Sequence, residues 1–259
     1  MSADGSEPTT ANRVASPHIG TLNERSLHAA LKAWYAEEGD RFEVPVDGFV
    51  ADIVRGDLLI EIQTGSTSAL RRKLAQLLRR HPVRLALPVT AKRTLVDLDT
   101  HGTQSPRRRS SKRGRWIDAL SELVGLRELL GDPNLSVDVL LIEDEEVRAP
   151  REVSRRRRKN WTVRDRRLVE VVDCVTFQDP TDYLAFVPAD LEEPFTTAEL
   201  ATAIARSRAM AQKLAYTLRH IGALRVIGKR GNAFLYRRSV HTSPPDVEEA
   251  SAEDVRSRP

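Results

Sequence analysis

The sequence predicts an α/β protein, with a mixed sheet flanked by helices in residues 21–145 and a smaller unit of helices and a hairpin in residues 191–240. Short apolar runs alternate with segments whose apolar residues recur every three or four positions, which indicates strands and helices within one domain. The chain has 259 residues, more than an average single domain, and this length favours two. Residues 1–20 and the acidic residues 241–259 are predicted to be disordered.

The elements of the first unit follow one another along the chain. Leu27, Leu31 and Trp34 have helical spacing and predict an amphipathic helix over 21–35. Asp47-Gly48, after a short strand at 42–46, is a hairpin turn signal. The further predicted elements are two strands within 49–63, a helix over 66–80, an apolar strand at 83–89, a helix over 116–130 and a strand at 136–142.

Three polar residues interrupt the two apolar strands that Arg55-Gly56 joins: Asp52 on the first strand, and Glu61 and Gln63 on the second. Glu61 and Gln63 share a face because they are two residues apart, and pairing around the turn brings Asp52 close to Glu61. Carboxylates that approach each other among apolar residues need a cation, and Mg²⁺ binds through one or two carboxylates completed by water and phosphate oxygens. The alternative is a solvated strand surface without a ligand.

Asp52, then Glu61-x-Gln63 on the next strand, then a helix rich in Arg and Lys, resembles the PD-(D/E)xK nuclease superfamily, which is typified by restriction endonucleases. Its core runs helix, three strands, helix, strand, and the predicted elements keep that order. The resemblance implies a restriction-endonuclease-like fold and metal-dependent cleavage of DNA, with Asp52 and Glu61 binding Mg²⁺ or Mn²⁺. It adds Gln63 and Glu24 to the catalytic set, although a Glu in the first turn of a helix is also favoured by the helix dipole alone.

Gln63 departs from the superfamily's commonest pattern, which has Lys at this position. A Lys ammonium orients the attacking water and stabilises negative charge in the phosphorane-like transition state, whereas a neutral Gln positions water with much less electrostatic stabilisation. The departure keeps a second hypothesis open, a non-catalytic DNA-binding or regulatory protein with a decayed nuclease core. An RNA-processing protein is a third, because backbone contacts alone do not distinguish the two nucleic acids.

The smaller unit carries helix start and stop signals. Thr196-Thr197 followed by Glu199 is a start of the capping-box type, and Ser207 opens a longer helix that ends at Gly222. A basic hairpin with a turn at 228–232 follows. Helix, turn, long helix and basic hairpin resemble a winged helix-turn-helix, in which the second helix enters the major groove and the wing touches the backbone.

The resemblance to a winged helix implies DNA contacts along the second helix and at the wing tip, although winged helices also serve as protein–protein adaptors. The residues placed there are Arg206, Arg208, Gln212, Lys213 and Arg219 on or beside the helix, and Lys229 and Arg230 at the wing tip.

The basic residues are concentrated in two runs, Arg107–Arg115 in a predicted loop over 101–115 and Arg155–Lys159 in a charged linker and strand region over 146–190. Clustered Arg and Lys favour a polyanionic partner such as DNA, and they are also typical of solvated loops. Residues 143–159 have the composition of an exposed connection.

Composition predicts a cytoplasmic protein. The sequence has no long uncharged apolar stretch for a membrane span, the first residues lack the layout of a signal peptide, and Cys174 has no cysteine partner for an internal disulfide. Cores of the resembled nucleases often pair to cut two strands, so a homodimer is a further expectation.

Overall fold

A computed structural model describes residues 26–65, 70–150 and 161–239. The strands are β1 (Arg41–Val46), β2 (Phe49–Arg55), β3 (Leu58–Ile62), β4 (Val83–Asp97), β5 (Arg108–Arg109), β6 (Leu135–Pro150), β7 (Trp161–Phe177), β8 (Leu224–Arg230) and β9 (Ala233–Arg238). The α-helices are α1 (Ser26–Tyr35), α2 (Leu70–Leu77), α3 (Leu120–Leu126), α4 (Thr197–Ala203) and α5 (Arg208–His220), and 3₁₀ helices span Trp116–Ala119 and Asp182–Phe186.

The large sheet is mixed, in the order β1-β2-β3-β4-β6-β7, with β5 on the edge of β4. Strands β1, β2 and β3 form an antiparallel meander, β4 is parallel to β3, β6 is parallel to β4, and β7 returns antiparallel to β6. The predicted α/β class with a mixed sheet flanked by helices is confirmed. The β2–β3 turn lies one residue later than predicted, because Arg55 already pairs with Leu58.

Two apolar cores cover the two faces of the sheet. On one face, α2 and α3 pack over β2, β3, β4 and β6, and this core continues into α4 and α5. On the other face, α1 packs through Leu27, Leu31 and Tyr35. These three residues are four apart and therefore form one stripe. Trp34, predicted on this stripe, lies outside it and is 48% exposed.

Residues 143–150, predicted as part of an exposed connection, form the second half of β6. The prediction was wrong because the charged side chains are paired across the strands and three of them are buried, namely Asp144, Glu145 and Glu146. Arg93 Nη2 lies 2.7 Å from Asp144 Oδ2 and Arg166 Nη2 lies 2.5 Å from the same oxygen. Pairing of this kind is what allows a charge to be buried. The basic run 155–159 lies outside the described residues.

Part of the predicted basic loop 101–115 is ordered against β4. Strand β5 pairs with Thr94 and Leu95, Ser110 N donates to Arg93 O at 2.8 Å, and Gly114 N donates to Thr90 O at 3.0 Å. A Cβ on Gly114 would lie 2.2 Å from Thr90 O. Only glycine therefore permits this approach, and residues 110–114 follow β4 as a wall.

The C-terminal unit contains α4, α5 and the β8–β9 hairpin. Thr196 and Glu199 form the predicted capping box, Ser207 caps α5, and Gly222 follows α5 with φ of 79°. The hairpin turn is shorter than the predicted turn at 228–232. Arg230 pairs with Ala233, so only residues 231–232 form the turn, and Lys229 and Arg230 belong to the end of β8. Among the described residues, none of the helices is long and apolar enough to cross a bilayer.

Candidate functional site

Asp52 lies on β2, where its side-chain carboxylate accepts a hydrogen bond from the backbone of β3. The pairing of β2 with β3 extends to Ile53 and Ile60, and beyond it Asp52 Oδ2 accepts a hydrogen bond from Ile62 N at 2.8 Å. His28 Nε2 on α1 lies 3.3 Å from the same oxygen. Burial by itself raises the pKa of Asp52, but the His28 and Ile62 hydrogen bonds outweigh it and hold the pKa below its usual value. Asp52 is therefore ionised at neutral pH.

Glu61 lies on β3 between Ile60, which forms the last β2–β3 pair with Ile53, and Ile62, whose backbone N donates to Asp52. Its side chain is buried, Oε2 lies 2.5 Å from Lys73 Nζ, and Oε1 has no hydrogen-bond partner among the described residues. Burial raises the pKa of Glu61 to about 7, against the attraction of Lys73. Glu61 therefore has one buried oxygen that accepts no hydrogen bond from the described residues. Burying such an atom costs free energy unless a ligand or a proton binds it.

Lys73 is the residue at this site that sequence reasoning missed. It projects from α2 and donates to Val50 O at 2.6 Å as well as to Glu61, so one ammonium joins the helix to both strands of the hairpin. The available signal was its spacing: Lys73 follows Leu70 by three residues and precedes Leu74, at the margin of the buried stripe of α2. His28, beside Leu27 on α1, carried the same kind of signal.

The other two predicted catalytic residues are placed differently. Gln63 follows β3 directly, donates its backbone N to Ala86 O at 2.9 Å, and lines a cleft that neither Asp52 nor Glu61 lines. Glu24 lies outside the described residues. Within the part of the chain that the structure describes, His, Cys, Asp and Glu side chains form no group of three or more that could hold a metal ion.

The cleft has a volume of about 840 Å³ and opens where β4 lacks a strand neighbour on one edge. Strand β3 pairs with β4 as far as Ala86, and β5 resumes the pairing at Thr94. Between these points the cleft is lined by residues 87–90 of β4 and by the wall of residues 110–114. The cations that line it are Arg93, Lys112, Arg113, Arg148, Arg166 and Arg206, and the carboxylates are Asp118, Glu122 and Glu146.

The residues predicted to bind DNA in the C-terminal unit are mostly exposed, but two of them already bind carboxylates. Arg208, Gln212, Lys213 and Arg219 are exposed on α5. Arg206 precedes α5, and its Nε donates to Asp118 Oδ1 at 3.1 Å. At the hairpin, Lys229 and Arg230 are both exposed, but Arg230 Nη1 donates to Glu199 Oε1 at 2.6 Å.

The sequence matches the family model described as "Domain of unknown function (DUF8091)" over residues 25–178. The chain belongs to the DUF8091 family. The matched range covers α1 to β7 and therefore includes Asp52, Glu61, Lys73 and the cleft residues up to Arg166. The family description names no activity.

A protein described as "Uncharacterized protein" from Treponema pallidum (strain Nichols) is 29% identical over 244 residues, which covers 92% of this chain and 95% of that protein. The alignment therefore extends beyond the DUF8091 domain and takes in part of the C-terminal unit. No solved structure matches the sequence.

Proposed function

We propose that this DUF8091 protein is a metal-dependent endodeoxyribonuclease with a restriction-endonuclease-like core, and that its C-terminal unit is a winged helix that binds DNA. The observation that carries the proposal is that Lys73 on α2 binds Glu61 on β3, next to Ile62, whose backbone N donates to Asp52 on β2. The element order supports it: α1, three antiparallel strands, α2 and a parallel β4 is the order expected of the resembled core.

The carboxylates fit a magnesium ion in number and chemistry. Mg²⁺ is commonly held by one or two carboxylates together with water and phosphate oxygens, and Glu61 Oε1 is a buried acceptor without a partner among the described residues. Asp52 and Glu61 would hold the ion, which polarises a scissile phosphate and lowers the pKa of a bound water. No third protein carboxylate is required for this.

Lys73 supplies the positive charge that Gln63 lacks. Its ammonium contacts Glu61 from the α2 side and lies in a site where burial weakens screening, so it stabilises negative charge that develops on the phosphate. Gln63, at the end of β3, positions the attacking water through its amide. His28 keeps Asp52 ionised and oriented.

One observation favours the second function, a DNA-binding protein whose nuclease core has decayed. Lys73 already satisfies Glu61 Oε2, so the ion pair substitutes for the cation that two neighbouring carboxylates otherwise need. In that protein the exposed cations of α5 and the hairpin carry the function, and the carboxylates serve stability alone.

Cleavage and metal binding separate the two functions. We expect the wild-type protein with Mg²⁺ or Mn²⁺ to cut at least one of supercoiled, linear, branched and single-stranded DNA, and Asp52→Asn and Glu61→Gln to abolish cleavage with DNA affinity retained. Asp57→Asn is the matched control, because Asp57 is exposed at the turn of the same hairpin. A wild-type protein that cuts none of the four and binds neither ion in calorimetry is the decayed form.

A further inference from the structure

We infer that the cleft beside Gln63 binds a single strand of DNA, an assignment of substrate form that rests on the proposed nuclease function for its place in the reaction. The cleft begins one residue pair beyond Ile62 on the sheet edge, so it continues directly from the carboxylate site along β4. A strand whose phosphate lay at Asp52 and Glu61 would run into it.

The size of the cleft favours one strand. Its volume of about 840 Å³ falls within the range of small-molecule sites, about 300–1,000 Å³. A short stretch of one strand fits such a space. The bases of a duplex are paired and stacked inside the helix, so a duplex could present only its backbone to this space.

Cations line both sides of the cleft and would attract the phosphates of a bound strand. Cations outnumber carboxylates in the lining by six to three. Arg93 and Arg166 are held from behind by Asp144, and Arg148 Nε donates to Glu146 Oε1 at 2.7 Å, so these guanidinium groups are fixed in position. Preorganised cations bind phosphates at a lower entropic cost than mobile ones.

The opposite wall offers cations whose charge is not neutralised by an ion pair. Within the described residues, neither Lys112 nor Arg113 lies within ion-pair distance of a carboxylate, and Arg113 Nη1 contacts only carbonyl oxygens, those of Ser110 at 2.6 Å and Lys112 at 3.1 Å. Both side chains are exposed. The bonds from Ser110 to Arg93 O and from Gly114 to Thr90 O hold this wall along the edge of β4 that does not pair with β6.

An aromatic ring lies among these cations. Trp161 lines the cleft at the start of β7, and the Arg148 guanidinium carbon lies 3.7 Å from its ring centroid. Basic grooves that carry aromatic residues are the usual sites for single-stranded nucleic acid, because unpaired bases stack on rings and paired bases do not. The combination distinguishes this cleft from a simple anion site.

The test is binding of fluorescein-labelled oligothymidine, and of its duplex with oligodeoxyadenosine, in metal-free buffer with EDTA across a salt series. Lys112→Ala combined with Arg113→Ala should lower single-strand affinity about tenfold and reduce the slope of log affinity against log salt by about 0.7 for each phosphate that the variant no longer neutralises. Trp161→Leu should lower it by about five- to a hundredfold. Both should leave duplex affinity within about twofold.

Matched controls lie away from the cleft. Arg79→Ala combined with Arg80→Ala removes the same charge beside the opposite end of β4, and Trp34→Leu removes an exposed tryptophan on α1, across the sheet. Each should leave oligothymidine binding unchanged. Thermal unfolding monitored by circular dichroism verifies that every variant is folded, and the Lys112 and Arg113 double variant changes only exposed side chains.

Single-strand binding that is unchanged in the double variant, or duplex binding that falls by the same factor, would overturn the assignment. So would displacement of the oligonucleotide by millimolar inorganic phosphate, which indicates a small-anion site, or tighter binding of oligouridine, which indicates RNA. The binding test contains no metal and does not depend on cleavage. A protein that never cleaves DNA but shows the expected binding would therefore contradict the nuclease proposal and support single-strand binding in the cleft.

Discussion

Lys73 Nζ lies 2.5 Å from Glu61 Oε2 and 2.6 Å from Val50 O, so one ammonium on α2 joins the neighbouring strands β2 and β3. In the proposed nuclease, this ammonium would supply the positive charge that Gln63 does not. This contact determines both the stability and the chemistry expected of the site.

Removing the ammonium should destabilise the fold. Above about pH 7, where Glu61 is ionised, Lys73→Met leaves a buried carboxylate without its partner, and losing one member of a buried pair costs about 3–5 kcal/mol. We expect a lower urea midpoint in Lys73→Met, substantial recovery when Glu61→Gln is added, and no change in Arg72→Met, which alters an exposed neighbour on α2. Equal midpoints for wild type and Lys73→Met would show that the pair contributes no stability.

The same substitution tests the chemical role of Lys73. If cleavage depends on its ammonium, Lys73→Met should slow the reaction about 10²- to 10³-fold, the usual cost of losing one preorganised donor. Adding Gln63→Lys to that variant returns a cation to the end of β3 and should recover part of the rate. The measurement is single-turnover cleavage at saturating DNA. A rate that stays at the wild-type level in Lys73→Met would remove Lys73 from the mechanism.

Glu61 should give stability a distinctive pH dependence. Its pKa is raised from 4.5 to about 7 in the folded protein, so the folded state binds the proton more tightly than the unfolded state. The stabilisation is fully present below about pH 4.5 and is lost as the pH rises through about 7. Urea unfolding across this window should show wild-type stability decreasing relative to Glu61→Gln. A difference between the two proteins that is constant with pH would contradict the raised pKa.

Gly114 should be intolerant of a side chain. Its Cβ would lie 2.2 Å from Thr90 O, so Gly114→Ala forces the wall of residues 110–114 away from β4. We expect a loss of about 1–3 kcal/mol in the free energy of unfolding and weaker single-strand binding. Gly228→Ala is the matched control, because nothing lies within 4 Å of its added Cβ. Similar effects of the two substitutions would show that the close approach of Gly114 to Thr90 does not cause the loss of stability and binding.

The two cations near the hairpin tip should contribute unequally to DNA binding. Glu199 already pairs with Arg230, whereas Lys229 lies over the ring of Phe234 and has no carboxylate partner in the described part of the chain. Lys229→Ala should reduce the salt slope for duplex binding by about 0.9 and Arg230→Ala by less. Arg225→Ala, at the exposed other end of β8, serves as the control. No change in any variant would favour a protein-binding role for this unit.

Local features of the chain were predictable because their physical causes are local. The Asp47-Gly48 turn and the Thr196 cap follow from residue conformation. The pairing of β2 with β3 ends at Ile53 and Ile60, so the approach of Asp52 to Glu61 stays a prediction. The role of Lys73 was not predictable, because it depends on how α2 lies on the sheet. Residues 143–150 were misassigned because composition does not show that their charges are neutralised by partners more than twenty residues away.

The C-terminal unit packs against the sheet, and this packing fixes the distance between α5 and the cleft. Arg206 bonds Asp118, Arg115 Nη1 donates to Ile204 O at 3.1 Å, and one apolar core runs from the sheet into α4 and α5. The exposed cations of α5 therefore stand at a fixed distance from the cleft. A DNA molecule held at both would present its backbone to Asp52 and Glu61 at a constant number of nucleotides from the point that α5 contacts.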